Sequence, residues 1–152
     1  MRRLSVQILT VAGLVSTVAA LWLPWARYGG IDVRLASFPS WVWYLGVAVV
    51  VQLVVIAAVS VEGRPGAAGY RLAARITGLV GVFGAIVTAL VVMAQYDNAA
   101  ALFGAAVPAV HPRPGPGGPV AIVAALFNGG ALMLLAPRSA PGSGMRLQLR
   151  LG

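Results

Sequence analysis

The side chains able to carry chemistry are few. The acids are Asp32, Glu62 and Asp97, the one histidine is His111, and cysteine is absent. A zinc site takes three or four His, Cys or carboxylate ligands, a set these residues cannot complete, so no metal is expected and His111 reads as a solvated loop side chain. General acid–base work needs groups that converge on one site. Each acid here lies in a different connecting segment, and the topology argued below puts Glu62 on the side opposite the other two. Paired-histidine haem ligation and thiol redox chemistry are excluded by inventory. No catalytic residue and no cofactor are therefore expected. The remaining polar groups of interest are two amides, Gln52 and Asn128, each near the middle of an apolar run. An amide in hydrocarbon is costly unless paired. The two are expected at similar depth, facing the interior of a bundle and bonding to each other or to Thr88, Thr17 or Ser16. They act either as structural glue or as a midplane polar site for a substrate.

The elements that would position these amides follow from composition. With 60% hydrophobic residues, 9% charged residues and a mean hydropathy of +0.91, the 152-residue chain carries more apolar surface than a soluble core of that size encloses. A bilayer core of roughly 30 Å asks for about 20 apolar residues per helix. Four uncharged runs meet that need, at about 6–23, 41–61, 76–94 and 119–136. The fourth opens at Pro119, and proline suits a first helical turn. The expected fold class is all-α, a membrane four-helix bundle forming one domain over 1–137, with a basic tail at 138–152.

The net charge of +8 comes from arginine alone. The arginines are scattered between spans, with no basic helix face and no aromatic-interleaved patch, so nucleic acid is not an expected partner. Their distribution instead sets orientation, because short cytoplasmic loops collect arginine. Arg2, Arg3, Arg64, Arg71, Arg75, Arg138, Arg146 and Arg150 fall on one side, and Arg27, Arg34 and Arg113 on the other. Both termini are expected in the cytoplasm, with the chain in a bacterial plasma membrane. The start, MRR followed by an apolar stretch and "STVAA", also has the parts of a secretory signal. The apolar run continues through Leu21, Trp22 and Leu23 without a polar break, which favours a retained first span.

Every tryptophan falls in the segment "LWLPWARYGGIDVRLASFPSWVWYLG". Trp22, Trp25, Trp41 and Trp43 close the first span and open the second, where indole rings favour the headgroup layer. They are expected as interfacial anchors, or alternatively as an aromatic docking platform for a partner or lipid, in a loop that folds down on the membrane surface through Tyr28, Phe38 and Gly29-Gly30. The third loop is expected to hold a short helix capped by Asp97 or Asn98, then an extended, polyproline-like path through "PAVHPRPGPGGP". In span three, Ala74, Gly78, Gly81, Ala85 and Thr88 recur at helical spacing, giving a small-residue stripe that another helix can approach closely. The run of Gly78, Gly81 and Gly84 is not a dinucleotide fingerprint, since its spacing differs and no strand precedes it. In the tail, "GMRLQLRLG" alternates as a strand would, but a lone strand is unstable, and attraction to anionic lipid is the expected behaviour.

"WLPWARYGG" at 22–30 and "HPRPGPGGP" at 111–119, set in this layout of spans and loops, resemble small four-span membrane proteins of actinobacteria with no assigned function. The resemblance implies the topology and adds no activity. The expected function is a non-enzymatic accessory or scaffold component of an envelope membrane complex, with lipid and other membrane subunits or further copies of the chain as partners. The alternative is a small oligomeric transporter or channel-like protein passing an apolar or lipid-like molecule by Gln52 and Asn128.

Overall fold

The structure, a computed structural model, describes residues 2–61, 68–104 and 110–135. Four long helices dominate it: α1 (Arg2–Trp22), α2 (Trp41–Ser60), α3 (Ala68–Met93) and α5 (Gly117–Leu134). All four are long and apolar enough to cross a membrane. The fold is an all-α four-helix membrane bundle. Its outer surface carries large apolar side chains such as Val80, Phe83, Leu53 and Ile8 with more than half their area exposed. Lipid is the solvent that suits such a surface.

The helices differ from the predicted spans mainly at their ends. α1 begins at Arg2 and α3 at Ala68, so both extend past the uncharged runs and carry Arg3, Arg71 and Arg75 on helical turns. Charged residues at a helix end reach the interface by snorkelling, so the helix continues where the apolar run stops. α5 is the centre of the bundle. It packs against α1 and α3 and touches α2, and half of its spanning window is buried against 17% for α1. Alanines at Ala121, Ala124, Ala125 and Ala131 give it the thin profile this position needs.

The connections correct two expectations. The first loop does not lie down as an aromatic apron. It forms a hairpin of β1 (Pro24–Tyr28) and β2 (Ile31–Arg34), followed by a 3-10 turn over Leu35–Ser37. Gly29, at φ +60°, makes the tight reversal, a backbone region where glycine meets no Cβ penalty. The proline-rich segment is extended, but as a strand: β3 (Pro112–Pro114) pairs antiparallel with the other edge of β1, giving the order β2-β1-β3. Prolines lack an N–H to donate, so within a sheet they keep to edge strands, as in β3, or to a strand's first residue, as Pro24 does in β1. Ahead of β3, Asn98 caps the short helix α4 (Ala99–Phe103) by accepting from the Ala101 N–H at 3.2 Å. The basic tail at 138–152 lies outside the described residues.

The sheet also fixes the relative disposition of the loops. Because the first and third loops share it, they lie at the same end of the bundle. The start of α1, the end of α2, the start of α3 and the end of α5 lie at the other.

Candidate functional site

α2 and α5 both begin at the sheet end and run the same way. Gln52 lies eleven residues after Trp41 and Asn128 eleven after Gly117. At 1.5 Å per residue each sits about 16 Å down its helix, half-way through an apolar slab. There the Asn128 amide nitrogen Nδ2 donates to Gln52 Oε1 at 3.2 Å, with Gln52 7% and Asn128 3% exposed. The bond spans two helices and is made where an unpaired amide would be most costly. Gln52 Nε2 and Asn128 Oδ1 have no hydrogen-bond partner among the described residues.

Thr88 and Thr17 are not the partners. Each turns its hydroxyl back onto its own helix, Thr88 to Gly84 O at 2.8 Å and Thr17 to Gly13 O at 2.8 Å. This is the usual way a hydroxyl is satisfied inside a helix. Asn128 Oδ1 instead lies against α1 at Gly13, where an added Cβ would stand 2.6 Å from it. Gly13 is a residue that sequence reasoning missed. The available signal was its i, i+4 spacing with Thr17, a small-xxx-small pair. Asn128 thus touches α1 through its oxygen and α2 through its nitrogen while standing on α5.

Beside the pair is a small cavity of about 10 Å³, lined by Thr17, Tyr44, Ala48, Ala85, Ala124 and Asn128. That is about the space one water occupies. It is no passage.

The small-residue stripe of α3 packs inward. Gly78 lies against Leu132 of α5 and Val54 of α2, and Gly81 lies against Val51 of α2, where an added Cβ would stand 2.7 Å from Val51 Cγ2. Ala85 is buried, Ala74 is half-buried against a cluster that includes Val51, Val55 and Leu132, and Thr88 is half-buried. Much of the stripe is therefore spent within the chain, seating α3 on α2 and α5. What stays open is the neighbouring groove on the lipid face of α2 and α3. Its volume is about 660 Å³, and its lining includes Trp43, Gly46, Val47, Val80, Gly81 and Gly84.

The four tryptophans divide. Trp22 and Trp43 are 68% and 74% exposed at the sheet end, in the positions an interfacial anchor takes. Trp41 is half-buried. Trp25 corrects the expectation: it is 1% exposed, its indole Nε1 donates to Ala20 O at 2.8 Å, and its ring meets that of Tyr44 edge-on at 5.2 Å. The cause is a bulge. Pro24 pairs with Arg34 and Ala26 with Val33, so Trp25 is an extra residue in β1. Strict alternation would have put it outside with Arg27, but the extra residue turns it inward. Gly117 at the start of α5 leaves room for that ring.

Tyr28 anchors the cap from the other side. Its hydroxyl donates to Tyr96 O at 2.7 Å, and its ring stands edge-on to Phe103 at 4.9 Å. Burial, with the Asp97 carboxylate and Tyr96 adding to it, raises its pKa above the ordinary 10.0. Gln95 Nε2 donates to Ser40 Oγ at 2.9 Å, tying the end of α3 to the start of α2.

On the outer face of the sheet, Arg27 stands in register with Asp32 on one side and Arg113 on the other. Arg27 Nε meets Asp32 Oδ1 at 3.1 Å. Arg34 lies over the Trp22 ring at 6.0 Å, a cation–π contact that holds the exposed indole. Among the described residues no group of three His, Asp or Glu side chains converges. Comparison with protein-family models, curated proteins and solved structures found no match.

Proposed function

We propose that this multi-pass membrane protein is a non-enzymatic scaffold or accessory subunit of a bacterial envelope complex, with both ends in the cytoplasm. The observation that carries the reading is the tightly packed midplane: Asn128 donates to Gln52 across two helices, and the space beside them is about 10 Å³. Groups that bind one another across two helices hold a bundle together. A transporter would need a path past them, and an intramembrane ionisable side chain to couple it; the four uncharged runs supply none. The arginine asymmetry supports the orientation.

The surface best suited to a partner is the open α2–α3 groove, and its occupant in this reading is a single transmembrane helix of a second subunit. Gly46, Gly81 and Gly84 keep one backbone-close line along it, and Trp43 closes the headgroup end. A Cβ at Gly46 meets nothing within 4 Å, so Gly46→Leu fills the groove without disturbing the chain's own packing. Purification in mild detergent is expected to bring a companion membrane protein with the wild type and to lose it with Gly46→Leu, at a thermal stability no lower than that of the wild type. A chain that purifies alone, or a companion retained by Gly46→Leu, would count against the proposal.

A further inference from the structure

The outer face of the cap carries an arrangement that neither the bundle nor the groove explains. In an antiparallel pair, residues in register project from the same face, and like charges directly opposite each other are destabilising. Arg27 and Arg113 are such a pair. Asp32 answers only one of them, at Arg27 Nε. Arg113 is exposed and has no acid within ion-pair distance among the described residues. Both arginines line one concavity of about 640 Å³ together with His111, Gly29, Val110 and Pro114. The lining holds no acid.

The position is also specific. β1 starts two residues after α1 ends at Trp22, and β3 ends three residues before α5 begins at Gly117. The arginine pair therefore lies just beyond the exposed Trp22 and Trp43 rings, in the layer where phosphates of lipid headgroups are found. Arginine presents planar forked donors that match a phosphate bidentately. The two strands bring two such forks side by side on a backbone held by hydrogen bonds.

We infer that the concavity formed by Arg27, His111 and Arg113 is a binding site for a phosphate group, carried by a phospholipid headgroup or by a soluble phosphate ester. The anion would sit between the two guanidiniums and relieve their repulsion, with His111 at the rim as a further donor. The site stands apart from the α2–α3 groove and does not depend on what occupies it.

The test uses the full chain in an uncharged detergent, titrated by calorimetry with short-chain phosphatidylglycerol and, separately, with glycerol phosphate. Saturable binding is expected, weakened about tenfold by Arg113→Gln. Arg113→Lys should fall between the two, because charge is kept and the fork is lost. Arg75→Gln, at the opposite end of the bundle, should bind as the wild type does. The side chain of Arg113 is exposed and the cap is held by backbone pairing, so thermal unfolding should not fall in the Arg113 variants, and Arg113→Gln, which removes the like-charge repulsion, should unfold slightly higher than the wild type. Saturation by the lipid alone assigns the site to the bilayer, and saturation by both probes assigns it to the phosphate itself; either supports the inference. Binding that does not saturate, or that falls equally with Arg113→Gln and Arg75→Gln, overturns it, because attraction would then be diffuse.

Discussion

A methyl group at Gly13 would stand 2.6 Å from Asn128 Oδ1, and Asn128 cannot swing away without leaving Gln52. Gly13→Ala gains about 1 kcal/mol of helix propensity but overpacks a tight contact, which costs about 1–3 kcal/mol, and weakens the amide bond as well. A lower unfolding midpoint in detergent is expected, and an unchanged or higher midpoint would show that α1 does not approach Asn128 this closely. A double-mutant cycle of Gln52→Ala and Asn128→Ala should return a coupling of about 0.6–1.7 kcal/mol, the range of interhelical bonds in membranes. A coupling near zero would separate the two amides. At Tyr28 the sign follows from the raised pKa. The folded state holds its proton more tightly than the unfolded chain, so this contribution is complete below pH 10 and is lost as alkaline pH passes through the raised value. Stability curves of wild type and Tyr28→Phe, measured from pH 8 upward, should therefore converge above about pH 10. Curves that stay parallel would mean that the hydroxyl is not buried against Tyr96.

Among the elements, α3 offers a paired comparison. Gly81 meets Val51, whose branched side chain has one strongly preferred rotamer in a helix, whereas a Cβ at Gly69 near the other end of α3 meets nothing within 4 Å. Gly81→Ala should lower stability by about 1–3 kcal/mol, while Gly69→Ala should raise it by about 0.5–1 kcal/mol. Equal effects in thermal unfolding would mean that the stripe is not an internal contact. The spans themselves were legible in the sequence, because an uncharged run of about 20 residues has one structural outcome in lipid. So was the depth match of Gln52 and Asn128, since both follow their helix starts by the same distance. The cap was not legible. β1 and β3 pair residues as far apart as Ala26 and Pro114, and a three-residue strand bounded by prolines has no alternating pattern to announce it. Trp25 was misplaced for a related reason: a one-residue bulge reverses the facing of a side chain, and nothing in "LPWARY" marks which residue is extra.

For the molecule as a whole, the shared sheet requires the first and third loops to face the same compartment, whichever one it is. The chain has no cysteine, so single replacements report cleanly. Gly30→Cys and His111→Cys should react together with a membrane-impermeant thiol reagent applied outside intact cells, and Arg3→Cys only after the cells are opened. Labelling of Gly30→Cys without His111→Cys would break the sheet, and labelling of Arg3→Cys from outside would reverse the orientation. The strand order has a further consequence for biogenesis. The middle strand of the cap is made first and its proline-bearing edge is made last, just ahead of the helix around which the other three are arranged. During synthesis the early hairpin has one flank of backbone hydrogen-bonding groups bare until the final crossing is under way. Completion of the outer lid and insertion of the central helix are therefore a single closing event, and a nascent chain halted before residue 112 would present both an open strand edge and an unfilled bundle to whatever quality control patrols the membrane.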